Sequence, residues 1–402
     1  MASEFKPPIR IAFDNICTQQ WIAGCHYLKN LFIALKSTDD PPSLVVCGEA
    51  PDNSATMLNQ FVEQQILSPI QRHRLLSQAF RIERRFGIPL GMSQLAAAFL
   101  RNQTIDIIFA MVDQGQRFNV PLMAWIPDFQ HIHLPQMFSQ QEIVYRNRTY
   151  LRMAKRAECI VLSSHKALDD FQNFVPLYAY KGQVVNFVAD VPTSVYETNP
   201  DWVCEYYHLP ERFIYVPNQF WKHKNHQLIV EALYRLKMKN IDAFVVCSGN
   251  TTDGRNPNYF PQLQSTIERL KLQDRLLILG VIPHEHIFQL IRQSIAVLQP
   301  SLFEGWSTTV EETKSIGKRI ILSDLAVHRE QNPPSALYFD PFDAEALANC
   351  LLKTLAEATP GPDRLMENYA REQLPHRTKA FGEAFMKIAR EIVLSYSKTN
   401  QS

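Results

Sequence analysis

The chain has 402 residues, of which 46% are hydrophobic and 20% charged, a normal globular composition that leaves room for two domains of roughly 190 residues each. Lys and Arg together number 41 against 40 for Asp and Glu, which excludes a bulk positive field that would draw the whole protein to nucleic acid. The N-terminus has no apolar core of a signal peptide, and no stretch reaches the roughly 18 apolar residues of a membrane span. These features predict a cytoplasmic protein.

The seven cysteines form no Cys-x-x-Cys pair. They lie mostly inside apolar runs, as Cys159 and Cys247 do. This pattern predicts reduced core residues and provides no metal-ligand spacing.

In the first half of the chain, short apolar runs of β type recur between turn residues. The predicted strands are 9–13, 44–47, 105–110, 122–126, 159–162 and 184–188. Their continuous apolarity indicates burial on both faces of a sheet. Residues 51–104 interrupt this series as a long, largely helical insertion.

The second half repeats the pattern. Its predicted strands are 213–216, 243–247, 276–279, 295–298, 319–322 and 336–339, with helices such as 226–239 and 284–293 between them. Alternation of strand and helix predicts a doubly wound parallel sheet, and its occurrence twice predicts two Rossmann-like α/β domains. We expect the linker at residues 190–200, which hold two prolines, and the chemistry at the carboxyl ends of the strands, facing a cleft.

The most informative segment follows the predicted strand 295–298. Two glutamates, Glu304 and Glu312, flank a stretch that can open a helix with a hydroxyl residue as its cap and with free backbone N–H groups. Such a helix end suits a diphosphate. The residues of this stretch are Gly305, Trp306, Ser307, Thr308 and Thr309.

Two glutamates separated by seven residues, in the context Pro-Ser-Leu-Phe-Glu-Gly, resemble the E-x7-E motif of the retaining family 4 glycosyltransferases. These belong to the glycosyl transferases group 1 and have the GT-B fold of two Rossmann-like domains. The resemblance implies that Glu304 lies against the transferred sugar, which it stabilises and positions. It implies that Glu312 hydrogen-bonds the nucleotide ribose.

A second segment follows the predicted strand 213–216. Cationic and amide groups at a strand end can neutralise the charge that develops on a leaving diphosphate without a metal. The resemblance identifies Lys224 as the phosphate-binding lysine, whereas Gln219 stands where the family usually has an arginine. Lys222 is a candidate to compensate, and Gly280 serves either a tight turn or a contact with the donor base.

The resemblance is weaker in the first half. Gly24, before the first predicted helix, corresponds to the family's Gly-rich loop, where it serves a turn or a close approach to phosphate. Asp128 keeps its place in the segment that faces the sugar, while Pro127 replaces the usual histidine and His131 is the candidate imidazole. Ser163-Ser164 is the expected N-cap of a helix at 165–172, and a contact with the donor is the alternative role of this pair.

The implied activity is the transfer of a sugar from a nucleotide-diphosphate sugar to an acceptor hydroxyl, in glycan, polysaccharide or glycolipid synthesis, without cofactor or metal. We expect an acceptor domain at 1–190, a donor domain at 200–375, and a closing helix in 376–402 that packs back on the first domain. A nucleotide-sugar epimerase or phosphorylase of the same fold is an alternative. The substitutions at 219 and 127 leave open a catalytically silent nucleotide-sugar-binding protein.

Two segments of the first half carry local positive charge, 72–85 and 146–156. Basic residues of this kind can hold a protein peripherally on an anionic membrane, close to a lipid-linked acceptor. Alternatively, the arginines are solvated or pair with Glu83, Glu142 and Glu158.

Overall fold

The computed structural model describes residues 7–17, 22–48, 57–66, 75–76, 78–79, 103–110 and 120–399. The chain forms two compact units. The first unit comprises Met1–Asp128, Val144–Val188 and His376–Ser402, and the second comprises Phe129–Ile143 and Ala189–Pro375.

The strands are β1 (Arg10–Asp14), β2 (Ser43–Cys47), β3 (Gln64–Ile66), β4 (Ile107–Ala110), β5 (Leu122–Ile126), β6 (Cys159–Leu162), β7 (Gly182–Val184), β8 (Ile214–Pro217), β9 (Val245–Ser248), β10 (Leu276–Ile278), β11 (Ala296–Gln299), β12 (Ile320–Ser323) and β13 (Ala336–Phe339). The α-helices are α1 (Ile22–Lys36), α2 (Gln130–His133), α3 (Gln140–Arg156), α4 (His165–Phe174), α5 (Ser194–Glu197), α6 (Trp202–Tyr206), α7 (His226–Met238), α8 (Tyr259–Arg269), α9 (His284–Gln293), α10 (Thr308–Ile316), α11 (Ala326–Gln331), α12 (Ala344–Glu357) and α13 (Arg364–Thr399).

The first unit contains a seven-stranded sheet in the order β3-β2-β1-β4-β5-β6-β7, and its described pairs are parallel. The central strands β4, β5 and β6 are buried along their whole length, as their apolar sequences predict. Two edge strands differ from the sequence prediction. β3 was not predicted, and β7 lies at Gly182–Val184 rather than at 184–188, because both expose residues and so lack an apolar run.

The second unit contains a six-stranded parallel sheet in the order β10-β9-β8-β11-β12-β13. Its strands lie within two residues of the predicted positions. The order runs outward in both directions from the neighbours β8 and β11, which is the Rossmann arrangement. Two parallel doubly wound sheets confirm the predicted fold class.

Residues 190–200, the expected linker, belong to the second unit and include the short helix α5. The carbonyl of Val195 accepts hydrogen bonds from Gln289 Nε2 at 3.1 Å and from Arg292 Nη1. Tyr196 Oη donates to the carbonyl of Ser315 at 2.8 Å. This segment is therefore tied to the helices of the second sheet.

The last helix, α13, is 36 residues long and contains Pro375. Its residues from His376 onward belong to the first unit. There Phe385 is fully buried, with its ring centroid 6.1 Å from that of Phe13 and 5.2 Å from that of Phe109. The C-terminal helix thus supplies part of the first unit's core.

Cys17 and Cys25 form a disulfide, contrary to the prediction that all cysteines are reduced. Cys17 lies three residues after β1 and Cys25 in the first turn of α1, and their Cα atoms are 4.7 Å apart, a separation that a disulfide spans. Cys159 and Cys247 are free and buried, as predicted.

None of the helices within the described ranges is both long enough and apolar enough to cross a membrane. In the same part of the chain, no three His, Cys, Asp or Glu side chains gather as a metal-binding group.

Candidate functional site

The candidate site lies at the carboxyl ends of β8 and β11, the neighbours at which the strand order of the second sheet reverses. Ligands of open α/β sheets bind at such a switch point. The loops after the two strands are joined by main-chain and amide contacts. Leu302 N donates to the carbonyl of His223 at 2.8 Å, and Asn225 Nδ2 donates to that of Pro300 at 3.1 Å.

Lys224 and Glu304 meet across this switch point, with 2.6 Å between Nζ and Oε1. Their side chains are only 14% and 10% exposed, so the ion pair is largely screened from water. Gln299, fully buried at the end of β11, donates from Nε2 to the same carboxylate oxygen at 2.8 Å. Oε2 of Glu304 makes no hydrogen bond to the described part of the chain and remains able to accept one from a ligand.

Helix α10 begins at Thr308, close in sequence to Glu304 and after Gly305, Trp306 and Ser307. Its N-cap is a hydroxyl residue of the predicted stretch, Ser307, with Oγ accepting from Val310 N at 3.4 Å. The N–H of Ser307 itself donates to Gln331 Oε1 at 3.2 Å. The first N–H groups of a helix have no intrahelical acceptor, so those of Thr308 and Thr309 are left to bind an anion.

Glu312 lies in the second turn of α10, with its side chain 10% exposed. Its Oε1 is 2.9 Å from Nε2 of His284, the first residue of α9. The second glutamate of the motif therefore also has one oxygen engaged by the protein.

Three further residues of the second unit are predicted to bind the nucleotide-sugar donor, and each has its own contacts. Gln219 Oε1 accepts a 3.0 Å hydrogen bond from Asn250 N, which ties the loop after β8 to the loop after β9. Lys222 is exposed, and its N–H donates to Asp253 Oδ2 at 3.0 Å. Gly280 has a φ of +69°, and its carbonyl accepts from Gly249 N at 2.8 Å, which favours its role in a tight turn.

Two histidines near Lys224, His223 and His328, have lowered pKa values because they are buried. The pKa of His223 lies well below its usual value because the ring is buried and because Lys224 is close. Burial also lowers the pKa of His328, against the opposing effect of Glu304, and Nδ1 of His328 lies 2.8 Å from the carbonyl of Ser323. Both rings are therefore neutral near pH 7.

The candidates from the first half are divided between the units. Gly24 is buried in the first turn of α1 rather than in the loop before it, because the helix already begins at Ile22. Asp128, in the first unit, pairs with Arg146 at 3.2 Å. His131, in the second unit, is buried between the rings of Phe129 and Phe138.

Ser164 caps helix α4 as predicted, with Oγ accepting from Ala167 N at 3.0 Å. Most of the basic segment 72–85 lies outside the described residues, whereas 146–156 forms the larger part of α3.

Sequence reasoning missed three polar residues of the site. Gln299 ends a fully buried strand, and a polar residue at that point is a signal that could have identified it. Asn218 follows β8 and donates to Gln299 Oε1. His284 had no sequence signal, because its partner Glu312 lies 28 residues away.

Residues 208–373 match the family described as glycosyl transferases group 1. None of the curated proteins matches the sequence.

Three solved structures illustrate the similarity in fold. Anabaena HepE in complex with UDP and glucose has a TM-score of 0.62 and 16% identity, over 98% of each chain. A glycosyltransferase from Rickettsia africae ESF-5 has a TM-score of 0.65 and 16% identity, over 96% of this chain and 99% of its own. Sucrose-phosphate synthase from Thermosynechococcus elongatus has a TM-score of 0.61 and 15% identity, over 98% of each chain.

At these identities the similarity concerns the fold, while the family match concerns the second unit. The chain thus has the GT-B fold of two Rossmann-like sheets, and its residues 208–373 match the glycosyl transferases group 1.

Proposed function

We propose that this protein is a retaining glycosyltransferase that moves a sugar from a nucleotide-diphosphate sugar to an acceptor hydroxyl, in glycan, polysaccharide or glycolipid synthesis. The observation that carries the proposal is the Lys224–Glu304 pair at the switch point of the second sheet, next to the N-terminus of α10. The E-x7-E resemblance supports the retaining, family 4 assignment. The HepE complex with UDP and glucose makes UDP-sugars the first donors to test.

In the proposed mechanism, the diphosphate binds the N–H groups of Thr308 and Thr309 and the ammonium of Lys224. The bond between the anomeric carbon and the diphosphate oxygen breaks, while the acceptor hydroxyl attacks from the same face. The departing phosphate takes the hydroxyl proton, and the nucleoside diphosphate leaves. Oε2 of Glu304 stabilises and positions the sugar as positive charge develops on it.

This mechanism asks for no metal. A buried ammonium and a helix N-terminus offset the charge of the leaving group in a place where water screens them poorly. We propose that Lys222, exposed near the same loop, assists when the diphosphate is bound, because Gln219 is engaged with Asn250.

The first unit is proposed to bind the acceptor, and Gly24 and Asp128 keep the phosphate and sugar roles that the resemblance implies. His131 is proposed to face the sugar from the second unit, and Gly280 to lie near the donor base. Residues 200–375 are proposed as the donor domain.

The decisive experiment incubates the full-length protein with UDP-, GDP- and ADP-sugars and a panel of acceptors, and then determines the product and its anomeric configuration by NMR. A glycoside that retains the donor's configuration supports the proposal. An inverted glycoside, an epimerised nucleotide sugar or a sugar phosphate identifies a different reaction. Tight donor binding without any turnover identifies a catalytically silent protein.

The exposed face of α3 supports a peripheral membrane contact near a lipid-linked acceptor. Tyr145 and Leu151 are 61% and 49% exposed, and Arg148, Arg152 and Lys155 are exposed on the same helix. Apolar and basic side chains together suit an anionic lipid surface. The carboxylates of Glu142 and Glu158 accept hydrogen bonds from the backbone N–H groups of Ser139 and Leu122.

A further inference from the structure

We propose that His284 is a positioning residue that orients Glu312 to bind the ribose hydroxyls of the donor nucleotide. The proposal rests on the proposed function, because it assumes a nucleotide ligand at this site. It assigns a role to a histidine that follows Pro283 at the start of α9 and that the transfer mechanism above does not use.

The geometry ties the two side chains together. His284 Nε2 lies 2.9 Å from Glu312 Oε1, within the range of a charge-assisted hydrogen bond. The imidazole is edge-on to the ring of Phe288, with 4.6 Å between the centroids, which restricts the plane of the imidazole. A carboxylate on one helix is thereby held by a ring on another.

The burial of Glu312 makes the second oxygen important. Its side chain is only 10% exposed, so few waters can solvate the carboxylate. Oε2 has no hydrogen bond to any described residue, although a buried carboxylate oxygen needs a donor. With Oε1 occupied by His284, Oε2 is the oxygen that a ligand hydroxyl can reach.

The position of Glu312 on α10 indicates which part of the nucleotide its carboxylate contacts. It lies four positions after Thr308, which corresponds to about 6 Å along the helix axis. A diphosphate on the first N–H groups of α10 therefore places the adjoining sugar of the nucleoside beside Glu312. That sugar carries a vicinal diol if it is ribose, and each hydroxyl is a donor for a carboxylate.

The loop before His284 leaves room for the rest of the nucleoside. A side-chain carbon added at Gly280 would meet nothing within 4 Å. His284 itself is 32% exposed, so its substitution removes little core packing. A change at this position therefore tests the hydrogen bond rather than the fold.

The experiment measures binding to the full-length protein by calorimetry. UDP, GDP and ADP are titrated first, and the tightest of them is compared with its 2′-deoxy and 3′-deoxy forms. Wild-type protein that binds none of the three diphosphates contradicts the proposed function itself. If the wild-type protein binds the ribonucleotide and both deoxy forms with equal affinity, the proposed role of His284 and Glu312 is wrong and the proposed function still stands.

His284→Ala is expected to weaken binding of the ribonucleotide about tenfold, the size expected for loss of one hydrogen bond to a charged group. For the deoxynucleotide that the wild type binds more weakly than the ribonucleotide, the affinity of His284→Ala is expected to equal that of the wild type. His284→Gln, whose amide N–H can replace Nε2–H, is expected to restore most of the affinity. With an active acceptor, the same loss should appear in KM for the donor and not in kcat.

His286→Ala is the matched control, because this histidine lies on the same turn of α9 and bonds Tyr207 Oη at 2.6 Å instead. It should leave the preference for ribose unchanged. The proposal is wrong if His284→Ala binds all forms as wild type does, or loses the same factor for each of them. If the alanine variant unfolds, His284→Asn, which is too short to reach Glu312, replaces it under the same criteria.

Discussion

The amide of Gln299 donates a 2.8 Å hydrogen bond to Oε1 of Glu304, five residues further along the chain. Lys224 reaches the same oxygen at 2.6 Å, so two donors converge on one side of the carboxylate. The other side, Oε2, is thereby oriented before any ligand binds. Preorganisation of this kind lowers the reorganisation needed when charge develops on the sugar.

Glu304→Gln should reduce turnover by more than about tenfold, or roughly 1.4 kcal/mol in the barrier, because a neutral amide cannot stabilise developing positive charge. Donor affinity should change less, because Lys224 no longer has to leave a carboxylate to bind the diphosphate. Steady-state kinetics with calorimetry on the same preparation checks both. Near-normal turnover in the folded variant would remove Glu304 from the mechanism.

Transfer should survive chelation. In the proposed mechanism, Lys224 and the N–H groups of α10 stabilise the negative charge of the leaving diphosphate. EDTA should therefore leave the rate within about twofold of that of the untreated enzyme. The measurement is an initial rate with and without EDTA, followed by added Mg²⁺ or Mn²⁺. An EDTA-inhibited enzyme that either ion restores would contradict the metal-free mechanism.

The α3 face should bind anionic vesicles and not neutral ones, with an affinity that falls as salt rises, since each basic residue near the surface contributes about 1 kcal/mol. Vesicle sedimentation at low and physiological salt is the measurement. Arg148→Glu with Lys155→Glu should abolish binding, while Lys239→Glu, on the second unit, should not. Equal and negligible binding to both lipids would exclude this contact.

Gly317→Ala should destabilise the second unit by more than about 2 kcal/mol, because a left-handed alanine costs roughly 1–2 kcal/mol before any clash. Gly317 has a φ of +83°, and an added Cβ would lie 2.3 Å from the carbonyl oxygen of Met366. Gly280→Ala is the control, because its φ is +69° with nothing within 4 Å, and it should cost about 1 kcal/mol. Denaturant unfolding followed by tryptophan fluorescence compares them. Equal losses would mean that the Met366 contact is relieved at no cost.

His226 should make the second unit sensitive to acid. Burial lowers its pKa from 6.5 to about 3, so the unfolded chain takes up a proton first as the pH falls. Stability should therefore be lost between pH 6.5 and about 3, by about 2 kcal/mol at pH 5. His226→Phe keeps a ring stacked on Phe220, now 4.1 Å between centroids, and should remove this part of the slope. Unfolding of both chains from pH 7.5 to 4.5 tests this, and parallel slopes would contradict it.

Much of the second unit could be predicted from sequence because its strands are uninterrupted apolar runs and its helices begin at recognisable residues. The strand before residues 305–309 and the hydroxyl residues among them predict a capped helix start there, and Ser307 is the residue that forms the cap. β3 was missed because Gln64 and Gln65 are exposed on an edge strand, which leaves only Ile66 buried. Edge strands need fewer apolar residues, so the pattern that reveals central strands is absent.

The pairing of distant residues could not be predicted in this way. His284 and Glu312 meet only because α9 and α10 pack together, and no local pattern in either helix shows the partner. Similarly, Cys17 and Cys25 have no motif spacing, and only the folded chain shows that their Cα atoms lie 4.7 Å apart. Local sequence predicts elements well and side-chain partners across elements poorly.

The packing of the last helix, α13, has a consequence for the order in which the two units fold during synthesis. Phe385 packs on Phe13 and Phe109, and Gly382 lies so close to Ala34 that an added Cβ would be 2.1 Å from its carbonyl oxygen. Translation delivers residues 13, 34 and 109 to the ribosome exit hundreds of residues before 382 and 385. The second unit, made of 129–143 and 189–375, is synthesised completely while the first unit still lacks the helix residues that complete its core. The half of the protein that is synthesised first is therefore completed last.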